Sequence, residues 1–289
     1  MADINRTTNS MALPSDISSE ILQKTQEESA IMRLARQIAL PGRGITIPVI
    51  TGDPTAQWVA ETGVKPVSNG TPGTKLMSAY KIAVIETFSK EFTRDAKALY
   101  DAMIQRLPAA LAGVFDSTII GATAAPSVTN FDTFANCTSQ SIANANNGTY
   151  TGLVAADSDI AQHGGVMNGL AFSAQGRGLL LSAVDTTNRP LFLASANDGV
   201  VARVLGVPTY FNKNLYKAGT PAVVGVAGDW SKALYGTVAG VEVSVTDTAT
   251  LTSGNETINL WQQNMVAVRA EIEVGFRADT DCFNLLTNA

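Results

Sequence analysis

Between residues 99 and 119 the large apolar side chains fall at Leu99, Met103, Leu107, Leu111, Phe115 and Ile119, each four residues after the last. That spacing draws one continuous apolar stripe along a helix, with Val114 and Thr118 filling the same side. From Arg94 to Gly121 such a helix would run roughly 40 Å at about 1.5 Å per residue. Pro108 removes a backbone hydrogen bond and costs about 3 kcal/mol. Six buried side chains at about 1.5–3 kcal/mol each outweigh it, so the spacing predicts one kinked helix rather than two separate ones. Gly121, followed by ATAAP, supplies the stop. A bar of this length needs an apolar surface to lie on.

That surface is at the far end of the chain. Val266, Val268, Ala270, Ile272, Val274 and Phe276 alternate with Ala267, Arg269, Glu271, Glu273 and Gly275, a half-buried antiparallel strand of period two. Residues before and after the middle of the chain are therefore expected to share one core, with the middle inserted between them. VEVSVT (241–246) is a further strand. From about Ala125 to Trp230, short apolar runs such as LLLSAV (179–184) and AVVGVA (222–227) sit between Gly, Asn and Asp turns, which reads as an α/β region of several strands.

Ahead of the bar, residues 1–13 are polar, and Pro14-Ser15-Asp16 opens a helical pattern through Ile17, Ile21, Leu22, Ile31, Leu34, Ala35 and Ile38, broken by EES at 27–29. This amphipathic arm has no sequence neighbour to fold against and is expected to lie on something else. ITIPVI (45–50) and AQWVAE (56–61) read as strands, TGVKPVSNGTPGTK (62–75) as a loop, and KLMSAYKIAVIETF (75–88) as a long strand leading into the bar. Residues 45–88 thus form an extended β-hairpin. An isolated hairpin is marginal in water, so this one is expected to lie across another subunit.

Charged residues make up only 16% of the chain, against about 25% in a usual soluble protein, which hints that much of its surface meets other protein. A net charge of −5 gives no support for a dedicated nucleic-acid binder. There is no apolar run of about 18 residues to cross a membrane, and no apolar signal-peptide core at the N-terminus. Cys137 and Cys282 are too few and too far apart for a disulfide framework or metal site and read as reduced thiols. His163 is the only histidine, so no metal, cofactor or catalytic triad is expected. GTPGTK (70–75) lacks the Walker spacing.

The motifs in order resemble the major capsid proteins of tailed bacteriophages, the Hong Kong 97-like family, over nearly the whole chain. The arm LPSDISSEILQKTQEESAIMRLARQI (13–38) and ITIPVITGDPTAQWVAETG (45–63) resemble its opening segments. Ser89-Lys90-Glu91-Phe92 with Asp95 is similar to the entry to its spine helix, and Phe115-Asp116 through Gly121 to the exit. Asp185 with Asn188-Arg189-Pro190-Leu191, Leu205-Gly206-Val207-Pro208 and Gly228-Asp229-Trp230-Ser231 recur in the family's order, and WQQNMVAVRAEIEVGF (261–276) with Asp281-Cys282-Phe283 resembles its closing strands.

The resemblance implies an α+β fold with an N-terminal arm (1–44), an extended loop (45–88), a peripheral domain carrying the spine helix (89–128 and 236–289) and an inserted axial domain (129–235). It implies a shell subunit and not an enzyme, assembling into hexamers and pentamers around double-stranded DNA that it touches without sequence specificity. Assembly is expected in the host bacterial cytoplasm, and the product is the virion capsid. A portal, possible decoration proteins and, because the arm begins within a few residues of Met1, a separate scaffolding protein are the expected partners.

Glu61, Lys65, Lys75, Arg269 and Glu271 are the candidates for inter-subunit contact, Glu61 and Arg269 first among them as ion-pairing residues. On their own these are ordinary solvated charges worth under about 1 kcal/mol. Lys65 and Lys75 sit where some family members crosslink a loop lysine to an asparagine, but no partner asparagine is evident, and crosslinking is not expected. One alternative keeps the fold and changes the contents, an encapsulin-like nanocompartment enclosing enzyme cargo. Another is a carboxylate-based hydrolase using Asp157, Asp159, Asp185 or Asp229, although no spacing converges them.

Overall fold

The computed structural model describes residues 29–52, 55–69, 71–95, 103–143, 148–185, 187, 189–192, 203–253 and 256–289. In chain order the first elements are α1 (Ala30–Leu34), β1 (Arg36–Ala39), β2 (Ile45–Gly52), β3 (Thr71–Met77), β4 (Tyr80–Ser89), α2 (Lys90–Asp95) and α3 (Leu107–Ile119). The middle holds β5 (Thr138–Ser141), α4 (Gly148–Gln162), β6 (Gly169–Phe172), α5 (Ala174–Ser182), β7 (Arg203–Val204), β8 (Val207–Phe211) and β9 (Val223–Gly228). The chain closes with β10 (Ala233–Thr237), β11 (Glu242–Thr246), β12 (Thr250–Ser253), β13 (Glu256–Asn259), β14 (Met265–Ala278) and β15 (Phe283–Thr287). The mixture of helix and strand is the α+β class expected.

The alternating strand is the centre of the first sheet. β14 runs 14 residues, pairs antiparallel with β4 on one side and with β10 and β11, end to end, on the other. Its apolar face is buried from Val268 through Phe276, and α3 lies over it. Leu107, Leu111, Phe115 and Ile119 are each at most 2% exposed, and the Phe115 ring meets Phe276 edge-on at 6.1 Å. The stripe therefore does what its spacing predicted. Thr118 joins it, but Val114 is exposed, and Leu99 lies outside the described residues.

The bar itself is interrupted. Met103 and Ile104 are helical, Gln105 and Arg106 form a turn, and α3 begins afresh at Leu107 with Pro108 in its first turn. A proline there lacks only an N–H that the first turn of a helix leaves unpaired anyway. The expected single kinked helix is thus divided just before Pro108, and residues 96–102 lie outside the described residues.

The second sheet runs β5-β15-β9-β6-β8-β7. Leu153, Ala156 and Ile160 of α4 and Leu180 of α5 pack on it with Leu170, Phe172, Val224 and Leu286. In LLLSAV, one of the short apolar runs, the first four residues form the last turn of helix α5, whereas AVVGVA supplies most of β9. The last strand, β15, enters this sheet between β5 and β9 instead of staying with the other closing strands. Every residue of its FNLLT run is buried, as suits a strand covered on both faces, and Asn284 Nδ2 donates to Ala156 O at 3.3 Å. Phe134, Trp230, Phe276 and Phe283 join the two sheets, with Phe134 stacked on Phe283 at 4.5 Å. Gly228 lies flat under the Phe283 ring, which a Cβ there would strike.

The start of the chain departs from the sequence reading. Residues 1–28 lie outside the described residues. Ser29, where the helical pattern breaks, caps α1 by accepting from Met32 N–H at 3.0 Å, but Ile38 is in strand β1 rather than helix. β1 pairs parallel with β10, and Ala30, Ile31, Met32 and Ala35 are core residues. This part of the arm packs inside its own chain.

Candidate functional site

β2 and β3 pair from Ile45↔Met77 outward as an antiparallel hairpin, and among the described residues they join no other sheet. The extended hairpin expected from the sequence is present, ending at Met77; β4, after Ser78 and Ala79, belongs to the first sheet. AQWVAE, expected as a strand, has no strand partner and, within the loop of residues 55–69, is irregular coil that enters a turn at Glu61, closed by Gly63 N–H donating to Ala60 O at 2.9 Å. Thr55 N–H donates to Ser68 Oγ at 2.8 Å across that loop. Trp58, Val64 and Val67 are almost wholly exposed on it, and the candidates Glu61 and Lys65 are exposed as well.

Lys75 points back at its own chain. Its Nζ donates to Ala278 O at 3.2 Å and lies 3.9 Å from Asp132 Oδ2. Arg269 and Glu271 sit on the outer face of the first sheet, away from α3, and engage each other: Arg269 Nε is 3.6 Å from Glu271 Oε2 and its Nη2 is 3.9 Å from Glu242 Oε1. Lys81 lies 3.4 Å from Glu271 and 3.3 Å from Glu273, and hydrogen bonds to Glu273 and Glu271 hold its pKa above the ordinary lysine value. The structure thus brings Arg269, Glu271, Glu242, Glu273 and Lys81 into one charged strip on the outer face, separate in the fold from the hairpin loop that carries Glu61 and Lys65.

Sequence reasoning missed two buried polar centres. Arg277 donates to Leu76 O, Thr129 O and Asp132 Oδ1, and is 6% exposed. Asp116, fully buried in α3, accepts from Ser29 Oγ at 2.5 Å, Ala30 N–H at 3.1 Å and Asn212 Nδ2 at 3.0 Å. Burial pushes its carboxyl up to about 7, against the pull of these donors. The one signal available was an acidic residue next to Phe115 inside an apolar helix. Arg277 gave none, because the alternation of β14 places it on the outer face.

The carboxylates considered for hydrolysis are divided among helix α4, the turn after α5 and the turn after β9. Asp185 is held low by donors from Arg189 N–H and Thr187 within its own turn. Burial would raise Asp229, but Ser231, Val166 N–H and Asn168 donate to it, and its pKa falls below the usual value. Asp157 and Asp159 lie on α4, and His163 Nδ1 is 2.9 Å from the carbonyl of Asp159 on the same helix. Both thiols are free; burial pushes Cys137 up to about 12 and raises Cys282. Among the described residues no group of His, Cys, Asp and Glu is arranged to hold a metal, and no helix is long and apolar enough to cross a membrane.

Comparison with known proteins adds the following. The model of the phage capsid family matches residues 9–280. The probable major capsid protein gp17 of Mycobacterium phage L5 is 31% identical over 286 residues, covering 92% of this chain and 86% of that protein. The same-named protein of Mycobacterium phage D29 is 29% identical over 289 residues, covering 92% and 86%. A solved chain from Mycobacterium phage Ogopogo superposes with a TM-score of 0.76 at 18% identity, covering 91% of this chain and 92% of its own.

Proposed function

The chain belongs to the phage capsid family, and from that premise we propose that it is the major capsid subunit of a tailed phage, building the head in hexamers and pentamers around double-stranded DNA. The observation that carries this is the family match across residues 9–280, together with a two-stranded hairpin that, among the described residues, joins no other sheet of its own subunit. The curated relatives are named as capsid proteins, so a nanocompartment enclosing enzyme cargo is not favoured.

In this reading the fold is of the Hong Kong 97 type. Residues 1–44 act as the arm and 45–77 as the extended loop, while β4 and β10 join 89–128 and 236–278 in the peripheral domain and β15 joins the rest of 129–235 in the axial domain. The hairpin lies on a neighbouring subunit with Glu61 and Lys65 in the contact, while Arg269 and Glu271 present the charged strip of the outer sheet face to another. Lys75, turned to Ala278 and Asp132, supports the hairpin from within. A scaffolding protein, a portal and decoration proteins act as partners, DNA contact is non-specific, and assembly takes place in the host cytoplasm before the subunit resides in the virion.

Size-exclusion chromatography with negative-stain microscopy of the full chain, alone and with a candidate scaffold, tests this. Capsomers or closed shells are expected. A monomer under every condition would overturn the reading. Denaturing electrophoresis of shells is expected to show one band near 30.3 kDa, and a ladder of multiples would demonstrate covalent crosslinking.

A further inference from the structure

Arg277 is out of pattern on its strand. It follows Arg269, Glu271, Glu273 and Gly275 along the outer face of β14, where the charged side chains reach water, yet its own side chain is buried. What covers it is the root of the β2–β3 hairpin. Its Nε donates to Leu76 O at 2.8 Å, and Nη2 reaches the same carbonyl. Nη2 also donates to Thr129 O at 2.6 Å, and Nη1 to Asp132 Oδ1 at 2.8 Å. The other Asp132 oxygen accepts from Ala278 N–H at 3.1 Å, so the carboxylate is itself fixed.

Two glycines let the root come this close. A Cβ on Gly44, whose φ is +82°, would collide with Met77 O, and one on Gly275 would collide with Ser78 O. Met77 is fully buried beside them. Farther out the hairpin stands away from the body: a cavity of about 610 Å³ separates Ile47, Val49 and Lys75 from Lys232 and Leu234. The hairpin is therefore held at its root and by the reach of Lys75 Nζ to Ala278 O, with open space beside that contact.

We propose that Arg277 is the positioning residue that sets the angle at which the hairpin leaves the body, with Asp132 holding the guanidinium in register. A planar fork fixed on three acceptors constrains direction as well as distance, which a single-point ammonium does not. Thr129 and Asp132 follow α3, so the same contact ties the hairpin's direction to the segment leaving the bar. The lever is long. A tilt of about 10° at the root moves the far end of an eight-residue strand by about 5 Å, at about 3.3 Å per residue, enough to miss a contact.

The functional half of this inference rests on the proposal that the hairpin lies on a neighbouring subunit; the structural half does not. Hydrogen exchange of the unassembled full chain tests the structural half, comparing wild type with Arg277→Met, Arg277→Lys and Asp132→Asn. In Arg277→Met, amides of residues 45–49 and 74–77 are expected to exchange about tenfold faster while β14 and β15 keep wild-type rates, with Arg277→Lys in between. Unchanged hairpin rates, or acceleration spread evenly over the chain, would overturn the proposal. Should Arg277→Met not fold, Asp132→Asn, which keeps the volume and removes the charge, is judged by the same criterion. Sedimentation of assembly reactions tests the functional half: shell yield is expected to fall severalfold in each variant with a loosened hairpin. Normal yield from such a variant would overturn the positioning role, whereas a wild type that forms no shell would instead overturn the capsid reading.

Discussion

Asp116 joins three parts of the chain that are distant in sequence: Ser29 and Ala30 at the base of the arm, α3, and Asn212 after β8. With a folded-state pKa raised from 3.8 to about 7, the native chain binds a proton there that the unfolded chain releases. Its contribution to stability is therefore greatest below about pH 4, falls as pH rises, and is lost by about pH 7. The full span is about 4 kcal/mol at about 1.4 kcal/mol per pH unit. Asp116→Asn keeps the shape and cannot ionise. Urea midpoints are expected to show the variant gaining on wild type between pH 5 and pH 8, and a difference that does not vary with pH would refute the titration. Asp116→Ala, which cannot ionise either, leaves the Ser29 hydroxyl and Ala30 N–H without an acceptor and is expected to cost about 1–3 kcal/mol at pH 5 and less at pH 8, where the wild type has lost its titration-linked stability.

At the scale of elements, α3 and β14 were legible because each advertises its period over a long run. Truncating the middle of their contact, Leu111→Ala, is expected to cost about 2–5 kcal/mol in denaturant unfolding, since this 1% exposed side chain belongs to the core cluster that holds Val268 and Ile272. Pro108 distinguishes the expected kinked rod from the observed divided one. In the middle of a continuous helix, Pro108→Ala would stabilise by about 3 kcal/mol. In the first turn of α3 it is expected to change stability by less than about 1 kcal/mol, which the same denaturant series reads. What stayed hidden depends on pairings between distant segments. β1 is four residues of mixed character whose strand state comes from its pairing with β10. β15 follows the turn after β14 with nothing local to say which sheet it joins. AQWVAE has a strand's composition and no strand beside it. The charged candidates show the same division: Lys65 is exposed as its loop composition suggests and Glu61 at the end of an unformed strand, whereas the inward turn of Lys75 and the burial of Arg277 follow from where the hairpin is rooted.

For the molecule as a whole, charge is sparse, and of the four most exposed large apolar side chains among the described residues three lie on the hairpin loop, Trp58, Val64 and Val67, the fourth being Val128. A side chain that touches nothing in its own subunit contributes nothing to that subunit's unfolding, so its worth is realised in association. Covering an indole of about 150–250 Å² at about 25 cal/mol per Å² gives an upper bound of about 4–6 kcal/mol per subunit. Trp58→Ser is accordingly expected to leave the melting temperature of the unassembled chain within about 1 °C of wild type, because exposed substitutions lie within about 0.5 kcal/mol. It is also expected to raise the protein concentration needed for assembly at least tenfold, a change of about 1.4 kcal/mol. Light scattering against protein concentration reads the second effect and calorimetry the first. Assembly at the wild-type threshold would show that this loop is not a contact between copies, and a large loss of melting temperature would show that Trp58 is covered by its own chain. The Lys81–Glu271–Arg269 strip gives the opposite salt response. Exposed ion pairs are screened within about 10 Å at 0.1 M salt, so any contact they make weakens as salt rises, while burial of Trp58 does not. A threshold that climbs steeply with salt in wild type and in Trp58→Ser alike assigns assembly to the strip, and one that salt barely moves assigns it to the hairpin.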